Sequence, residues 1–369
     1  MKLRHLDILN YKNIAQANLD FADGVNCLIG NNGMGKTNVL DAIYYLSFCR
    51  SHATPTDLAT ITHSEPYMML QGTYDRRGAD EQVTVSLQRG RRKVVMRAGK
   101  DYQRLSQHIG LLPVVMISPS DQGLISGSGE ERRRLLDQII SQGDKEYLDA
   151  LIRYGKAVEQ RNSMIRNEMR DPLLYETVEA VMQSTATLIH QRRAQFVEQF
   201  TPIFMQYYAA IAGEHEQVSL TYNSPLTGTT MHDLLAANRE RDMIIGYTTR
   251  GVHRDDIELL LGDYPMRRTG SQGQCKTYTL ALRLAQFDFL RQVTPVTPIL
   301  LLDDIFDTLD AQRVERIVEV VSSDRFGQIF ITDTNRTHLD HIMQRMQGDH
   351  RMFIVTDRQC SSAEKGGNP

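Results

Sequence analysis

Apolar and polar residues alternate through Leu3–Leu9 and again around Leu19–Phe21, so the chain opens on strands. Val25–Ile29 is a short apolar run, the pattern of a strand covered on both faces. The period then changes. From Lys36 onward, Leu40, Ala42, Ile43 and Leu46 recur at helical spacing. Met68–Tyr74, Gln82–Gln88 and Lys93–Arg97 predict an antiparallel meander on one flank. Pro113–Asp121 is expected to be the loop by which the chain leaves this core for a second lobe.

Beyond it the pattern is helical. Ser128-Gly129-Glu130-Glu131 has the form of a capping box, and Leu135, Leu136, Ile139 and Ile140 follow on one stripe. Asp144–Arg170 and Leu174–Ala212, broken at Asp171-Pro172, predict an antiparallel helix pair. The first would be about 40 Å long at about 1.5 Å per residue. The chain is expected back in the core near Asp242–Thr249. There a helix over Cys275–Gln292, with Leu280, Leu284, Phe287 and Leu290 on one face, precedes Pro298-Ile299-Leu300-Leu301-Leu302-Asp303-Asp304. That run is apolar until its two final acids and reads as a buried parallel strand. The predicted fold is α/β: a mixed sheet with an antiparallel β flank over residues 1–122 and 242–369, and an inserted helical lobe over 123–241. The tail, Ser361–Pro369, is small and polar and is expected to fray.

The chemistry sits at the joints of these elements. Gly30-Asn31-Asn32-Gly33-Met34-Gly35-Lys36-Thr37 joins the Val25–Ile29 strand to its helix and fits G-x-x-x-x-G-K-[ST]. Glycines let such a loop turn its N–H groups toward phosphates. Gly30 to Asn38 are therefore the expected ATP-binding residues, with Lys36 neutralising the β/γ oxygens and Thr37 taking a Mg²⁺ position. Asp303, at the end of the apolar strand, is placed to hold the same Mg²⁺, and Asp304 to orient or activate water at the γ-phosphate. Ser271-Gln272-Gly273-Gln274 opens the Cys275–Gln292 helix, where a serine N-cap and exposed N–H groups favour an anion. Set between a P-loop and an Asp-Asp strand end, this is the order of an ABC-type ATPase head. In such engines Ser271 and Gly273 of one subunit close over ATP held by the P-loop of another.

These and other blocks resemble the RecF family of bacterial DNA replication and repair proteins, relatives of the ATPase heads of SMC-type chromosome proteins. Asn10-Tyr11-Lys12-Asn13 resembles the family's Asn-Phe-Arg-Asn, and Gly30 to Asn38 its P-loop. Asp41-Ala42-Ile43-Tyr44-Tyr45-Leu46 and Arg50-Ser51-His52 follow in family order, as do Arg132-Arg133-Arg134, Gly251-Val252-His253-Arg254-Asp255-Asp256, Ser271-Gln272-Gly273-Gln274, Asp303-Asp304 and Leu309-Asp310. The resemblance implies an ABC-ATPase head with a short helical stub in place of the long SMC coiled coil. It implies an ATP-dependent homodimer that binds duplex DNA near single-strand gaps. Slow ATP hydrolysis would release the DNA. It further implies roles in recombinational repair, replication and the SOS response, with recombinase loaded through the RecO and RecR mediators.

Departures from the family pattern are local. Asp41 stands where Glu is usual and Val252 where Pro is usual. Ile331-Thr332-Asp333-Thr334 occupies the place of the switch histidine of transport-type ABC proteins, and His338, several residues later, is not expected to substitute. A transport-type ABC subunit, or an SMC-like ATPase acting on another partner, is the alternative reading.

Composition alters this picture little. The chain has 369 residues, 41% hydrophobic and 24% charged, enough for a substantial core in two lobes. A net charge of −3 gives no global basicity, so any DNA surface must be a local patch. Arg89-Gly90-Arg91-Arg92-Lys93, with Arg97 and Lys100, is either such a patch or a solvated hairpin tip. Arg132–Arg134 beside Glu130–Glu131 reads as a paired helix face or as a DNA contact. His253-Arg254-Asp255-Asp256 reads as an Arg–carboxylate network or as a coupling element. Cys27, Cys49, Cys275 and Cys360 show no metal spacing, which predicts a reduced cytoplasmic setting; association with the nucleoid is what the resemblance to the RecF family implies. No apolar run is long enough for a bilayer, and no membrane partner is expected.

Overall fold

A computed structural model describes residues 1–306, 310–323, 325–345, 349–356 and 359–362. Numbered along the chain, the strands of its first part are β1 (Lys2–Tyr11), β2 (Ile14–Asp20), β3 (Val25–Ile29), β4 (Tyr67–Arg76), β5 (Ala79–Gln88), β6 (Val94–Arg97), β7 (Lys100–Asp101) and β8 (Val114–Ile117). Then come β9 (Val218–Asn223), β10 (Asp256–Leu261), β11 (Tyr264–Pro265), β12 (Ile299–Asp303), β13 (Ile329–Asp333), β14 (His350–Thr356) and β15 (Gln359–Ser362). The helices are α1 (Lys36–Phe48), α2 (Gly123–Ser126), α3 (Gly129–Gly143), α4 (Lys145–Arg166), α5 (Pro172–Ala212), α6 (Met231–Ile245), α7 (Met266–Thr269), α8 (Gln272–Val293), α9 (Ala311–Val321) and α10 (Arg336–Arg345).

Two compact units emerge. The first comprises Met1–Asp121 and the described residues from Gln286 onward. It holds two six-stranded sheets. One, in the order β2-β1-β4-β5-β6-β7, is the expected antiparallel flank, longer by β1, β2 and β7. The other runs β15-β14-β3-β13-β12-β8, parallel from β14 to β8 with β15 antiparallel at its edge. β12 and β13 are buried along their whole length, which is why their sequences are nearly free of polar residues until the last positions. α1 is buried on almost every side, and its Val39, Leu40 and Ile43 share one core with Leu3, Leu6, Ile8 and Tyr11 of β1. Parallel register aligns Asp303 with Thr332, and Thr332 with Leu28. The carboxyl ends of β3, β12 and β13 therefore form one rim, and the P-loop springs from it.

Two expectations are corrected here. Val114–Ile117 is not a departing loop but β8, an edge strand registered against Ile299–Leu302 and buried at all four residues. Part of the supposedly frayed tail, Ser361–Ser362, is paired in β15, while residues 363–369 lie outside the described residues.

The second unit is Gln122–Ala285. Ser128 is the N-cap of α3 as the sequence predicts, though its hydroxyl accepts from Glu130 N and donates to the Glu131 carboxylate rather than closing the reciprocal backbone pair of a capping box. α4 and α5 run antiparallel, as the pairs Arg161–Glu179 at one end and Arg192–Glu146 at the other require. Asp171 caps α5 with Pro172 in its first turn, as the sequence suggests. This unit reaches beyond residue 241, the expected end of the helical lobe, and holds a three-stranded sheet, β11-β10-β9. Its extension has a physical cause. β10 pairs along all of β9, and the buried Asp242 carboxylate takes Arg161 at 2.7 Å, tying the segment after 242 to α4.

Candidate functional site

The loop after β3 turns on two glycines in the left-handed region, Gly33 at φ +83° and Gly35 at φ +108°. A Cβ on Gly35 would also lie 2.7 Å from Asn13 Oδ1. Asn13, on the turn between β1 and β2, accepts from Asn38 Nδ2 at 2.7 Å and donates to the Gly33 carbonyl at 3.3 Å. The loop is thus held on its outer side by a residue from another sheet. Lys36 is buried, and its ammonium lies inside the loop, donating to the Gly30 carbonyl at 2.8 Å and the Asn31 carbonyl at 3.4 Å. Asp304 Oδ1 is 4.0 Å away. These partners are oxygens that phosphate oxygens could replace.

Thr37 Oγ1 donates to Asp303 Oδ1 at 2.8 Å, joining the start of α1 to the end of β12. Burial pushes the Asp303 carboxyl above the ordinary aspartate range, and the Asp304 charge adds to this against hydrogen bonds from Thr37 and Thr332. A hydroxyl and a desolvated carboxylate in contact are hard oxygen donors and fit Mg²⁺. Among the described residues no group of three or more His, Cys, Asp or Glu could hold a metal alone. Such a pair therefore suits an ion that completes its shell with phosphate oxygens and water. Asp304 has φ +44°, a left-handed turn carried by a residue with a Cβ. Its N–H donates to Thr332 Oγ1 at 3.0 Å.

One side chain below the loop was not singled out for chemistry. Asp41, on α1 and fully buried, accepts from Tyr11 Oη (2.6 Å), Ser51 Oγ (2.7 Å) and His52 N (2.7 Å), and pairs with Lys12 Nζ at 2.6 Å. Burial opposes its ionisation, but Lys12 and the two hydroxyls outweigh it and hold its pKa below the usual range. The Asn10-Tyr11-Lys12-Asn13 and Arg50-Ser51-His52 blocks thus meet at one carboxylate.

Ser271 and Gly273 belong to the second unit. Ser271 Oγ accepts from Gln274 N at 3.2 Å and Ser271 N donates to Gln274 Oε1 at 2.8 Å, a reciprocal cap on the exposed start of α8. Gln274 Nε2 is anchored on Glu216 Oε1 at 2.7 Å.

Comparison with known proteins agrees over nearly the whole length. A family profile described as RecF/RecN/SMC N terminal domain matches residues 2–359. The DNA replication and repair protein RecF of Parabacteroides distasonis is 52% identical over 365 residues, 99% of this chain and 100% of that protein. The chain belongs to the RecF family. A solved structure of the recombination mediator protein RecF with ATP, in the RecFOR pathway, superposes with a TM-score of 0.88 at 26% identity, covering 98% of this chain and 97% of that one. The Smc head domain of Pyrococcus furiosus, at 17% identity and TM-score 0.58 over 98% of this chain and 96% of its own, shares the fold. The fold class is thus the ABC-ATPase head common to RecF and SMC proteins.

The remaining RecF-family blocks are built as networks in the second unit. Asp255 accepts from Arg193 Nη1 (2.6 Å), Tyr222 Oη (2.5 Å) and Ser224 Oγ (2.6 Å). Asp256 takes Arg132 through two bonds of 2.7 and 2.9 Å, and Arg133 donates to the Asp255 carbonyl at 2.6 Å. His253 lies between Tyr154 Oη at 2.8 Å and the Thr248 carbonyl at 3.0 Å, and its burial lowers the ring pKa to about 4. Arg134 pairs with Glu130 at 3.2 Å. Both blocks therefore act as Arg–carboxylate scaffolds joining α3, α5, β9 and β10.

In the basic hairpin, Lys93 is turned inward to Asp57 at 2.6 Å and Arg97 is paired with Glu81, while Arg89, Arg91, Arg92 and Lys100 are exposed. Asp310 caps α9, but Leu309 and the side chain of His338 lie outside the described residues. Sequence reasoning missed Thr332 and Asn13 as parts of the P-loop rim. Thr332 is brought to the rim by the register of β13 against β12, which no sequence spacing shows; for Asn13, which acts across two sheets, the sequence carried no signal beyond the family motif.

Proposed function

We propose that this protein is an ATP-driven DNA-binding switch of replication and recombinational repair. The observation that carries the reading is the rim itself: a P-loop lysine buried among oxygens, with Thr37 in contact with Asp303 at the end of the adjoining parallel strands. RecF relatives named for DNA replication and repair, and the likeness to a RecF structure with ATP, support it. On this reading Gly30 to Asn38 hold the triphosphate, and Lys36 leaves the loop carbonyls for its β/γ oxygens. Thr37 and Asp303 would hold a Mg²⁺ ion, which would supply positive charge to offset that of the phosphates. Asp304 orients the attacking water. Ser271 and Gly273 at the exposed start of α8 face the γ-phosphate of a second copy, so two ATP molecules are buried when the dimer closes. Closure forms a surface for duplex DNA near single-strand gaps, recognised through phosphates rather than sequence. Slow hydrolysis, stimulated by DNA, opens it, and RecO and RecR are the partners through which recombinase is loaded.

Anisotropy of a labelled gapped duplex with ATP, ADP or no nucleotide tests the reading. Tight binding with ATP alone is the expected result. Equal binding in all three states, or none, refutes the link between ATP and DNA.

A further inference from the structure

The rim contains one side chain that the proposed chemistry has not used. Thr332, the penultimate residue of β13, is 0% exposed. Its register partner across the parallel ladder is Asp303, and its hydroxyl touches both acids of the strand end. Thr332 Oγ1 is 2.9 Å from Asp303 Oδ1 and 3.4 Å from Asp304 Oδ1, and accepts the Asp304 N–H at 3.0 Å.

A hydroxyl has one proton to donate and lone pairs to accept with. At Thr332 the accepting side is engaged by the backbone of Asp304, the residue forced to φ +44°. That bond holds the strained turn in place, and the turn sets where the Asp304 carboxylate points. The single proton lies between two carboxylates, at 2.9 and 3.4 Å. Thr37 donates to the same Asp303 oxygen at 2.8 Å. The second carboxylate, Asp304, is only 0.5 Å farther from the Thr332 hydroxyl than Asp303 by the same two distances, so were the Asp303 charge offset by a bound cation the proton would be available to Asp304.

We propose that Thr332 is a positioning residue for ATP hydrolysis: by accepting from the Asp304 backbone and bridging both carboxylates, it fixes the aim of Asp304 at the attacking water. In that step the water oxygen bonds to the γ-phosphorus and the bond from phosphorus to the bridging oxygen of ADP breaks. The proton shed by water ends on the released phosphate, and Asp304 accepts the hydrogen bond that orients the water. The inference rests on the ATPase reading above. It also gives a role to the four-residue stretch that contains no histidine.

The test compares wild type, Thr332→Val, which keeps the shape without the hydroxyl, and Thr332→Ser, which keeps the hydroxyl. Steady-state phosphate release with Mg-ATP and duplex DNA gives kcat and KM. Thr332→Val is expected to lower kcat by about tenfold or more with KM within about threefold, and Thr332→Ser to stay within about threefold of wild type. If valine prevents folding, as a thermal melt would reveal, Thr332→Ala replaces it with the same expectations. A valine variant at wild-type kcat overturns the proposal, as does a serine variant as slow as valine or a loss confined to KM. A wild-type protein that binds ATP without hydrolysing it overturns both this proposal and the ATPase reading; one that hydrolyses while Thr332→Val matches it overturns this proposal alone.

Discussion

Replacing Asp41 by alanine should be among the most damaging single changes in the first unit. Four donors converge on this carboxylate, none longer than 2.7 Å, and its side chain is fully buried. Alanine would strand the Lys12 ammonium, whose side chain is only 13% exposed, together with two hydroxyls and a backbone N–H. Removing one partner of a buried pair costs about 3–5 kcal/mol, because the remaining charge is left desolvated. Against a typical stability of about 5–15 kcal/mol, that is a large share. The chain has no tryptophan, so far-UV circular dichroism is the natural signal for a urea titration. With a slope of about 3 kcal/mol per molar, the midpoint should fall by about 1 M or more. A Lys12→Met/Asp41→Ala double variant should recover part of the loss, since both charges are then gone. The pH dependence has a definite sign. The folded carboxyl has a lowered pKa, so its stabilisation is complete above the unfolded value of about 3.9 and fades as pH falls below it. A midpoint lowered by less than about 0.3 M at neutral pH would refute the hub argument.

Lys36→Ala should abolish ATP binding, because the buried ammonium among the loop carbonyls is the charge that would meet the phosphates; fluorescent-ATP titration checks it. Ser271→Arg should leave ATP binding intact and block ATP-dependent dimerisation, read by light scattering; an ATP-bound dimer of this variant would rule out the shared site. His253 is neutral when folded because burial lowers its pKa to about 4, whereas the unfolded chain takes up a proton near about 6.5. Its contribution is therefore full above about pH 6.5 and is lost as pH falls toward 4. His253→Gln should flatten the stability–pH curve in that window, and identical slopes in the two proteins would show the argument to be wrong.

The parts legible in the sequence were those with a strong local period or a fixed spacing. β3, α1, α8 and β12 came from apolar runs and from residues such as Gly35, Lys36 and Asp303, whose chemistry demands a particular joint. What escaped depends on distant partners. Val114–Ile117 is too short to declare itself a strand until β12 lies beside it, and Pro113 made it look like an exit. The sheet of β9, β10 and β11 was hidden because β9 follows a 41-residue helix and pairs with a strand more distant in sequence. Asn13 and Thr332 carry no local signature of function. Each acts through a neighbour set by sheet register or by a turn, which a one-dimensional pattern does not encode.

The place of β3 in its sheet has a consequence for biosynthesis. Val25 is registered against Ile329 on one side and His350 on the other, so the strand that launches the P-loop is flanked only by segments from the far end of the chain. The second unit, by contrast, is one continuous stretch, Gln122–Ala285. On the ribosome that stretch can complete its contacts while β3 still lacks both neighbours. ATP-binding competence therefore arrives last, once β13 and β14 have emerged. A nascent chain stalled before Ile329 would present a folded helical lobe with no functioning nucleotide site, and translation itself would serve as the timer that keeps an incomplete switch from engaging ATP.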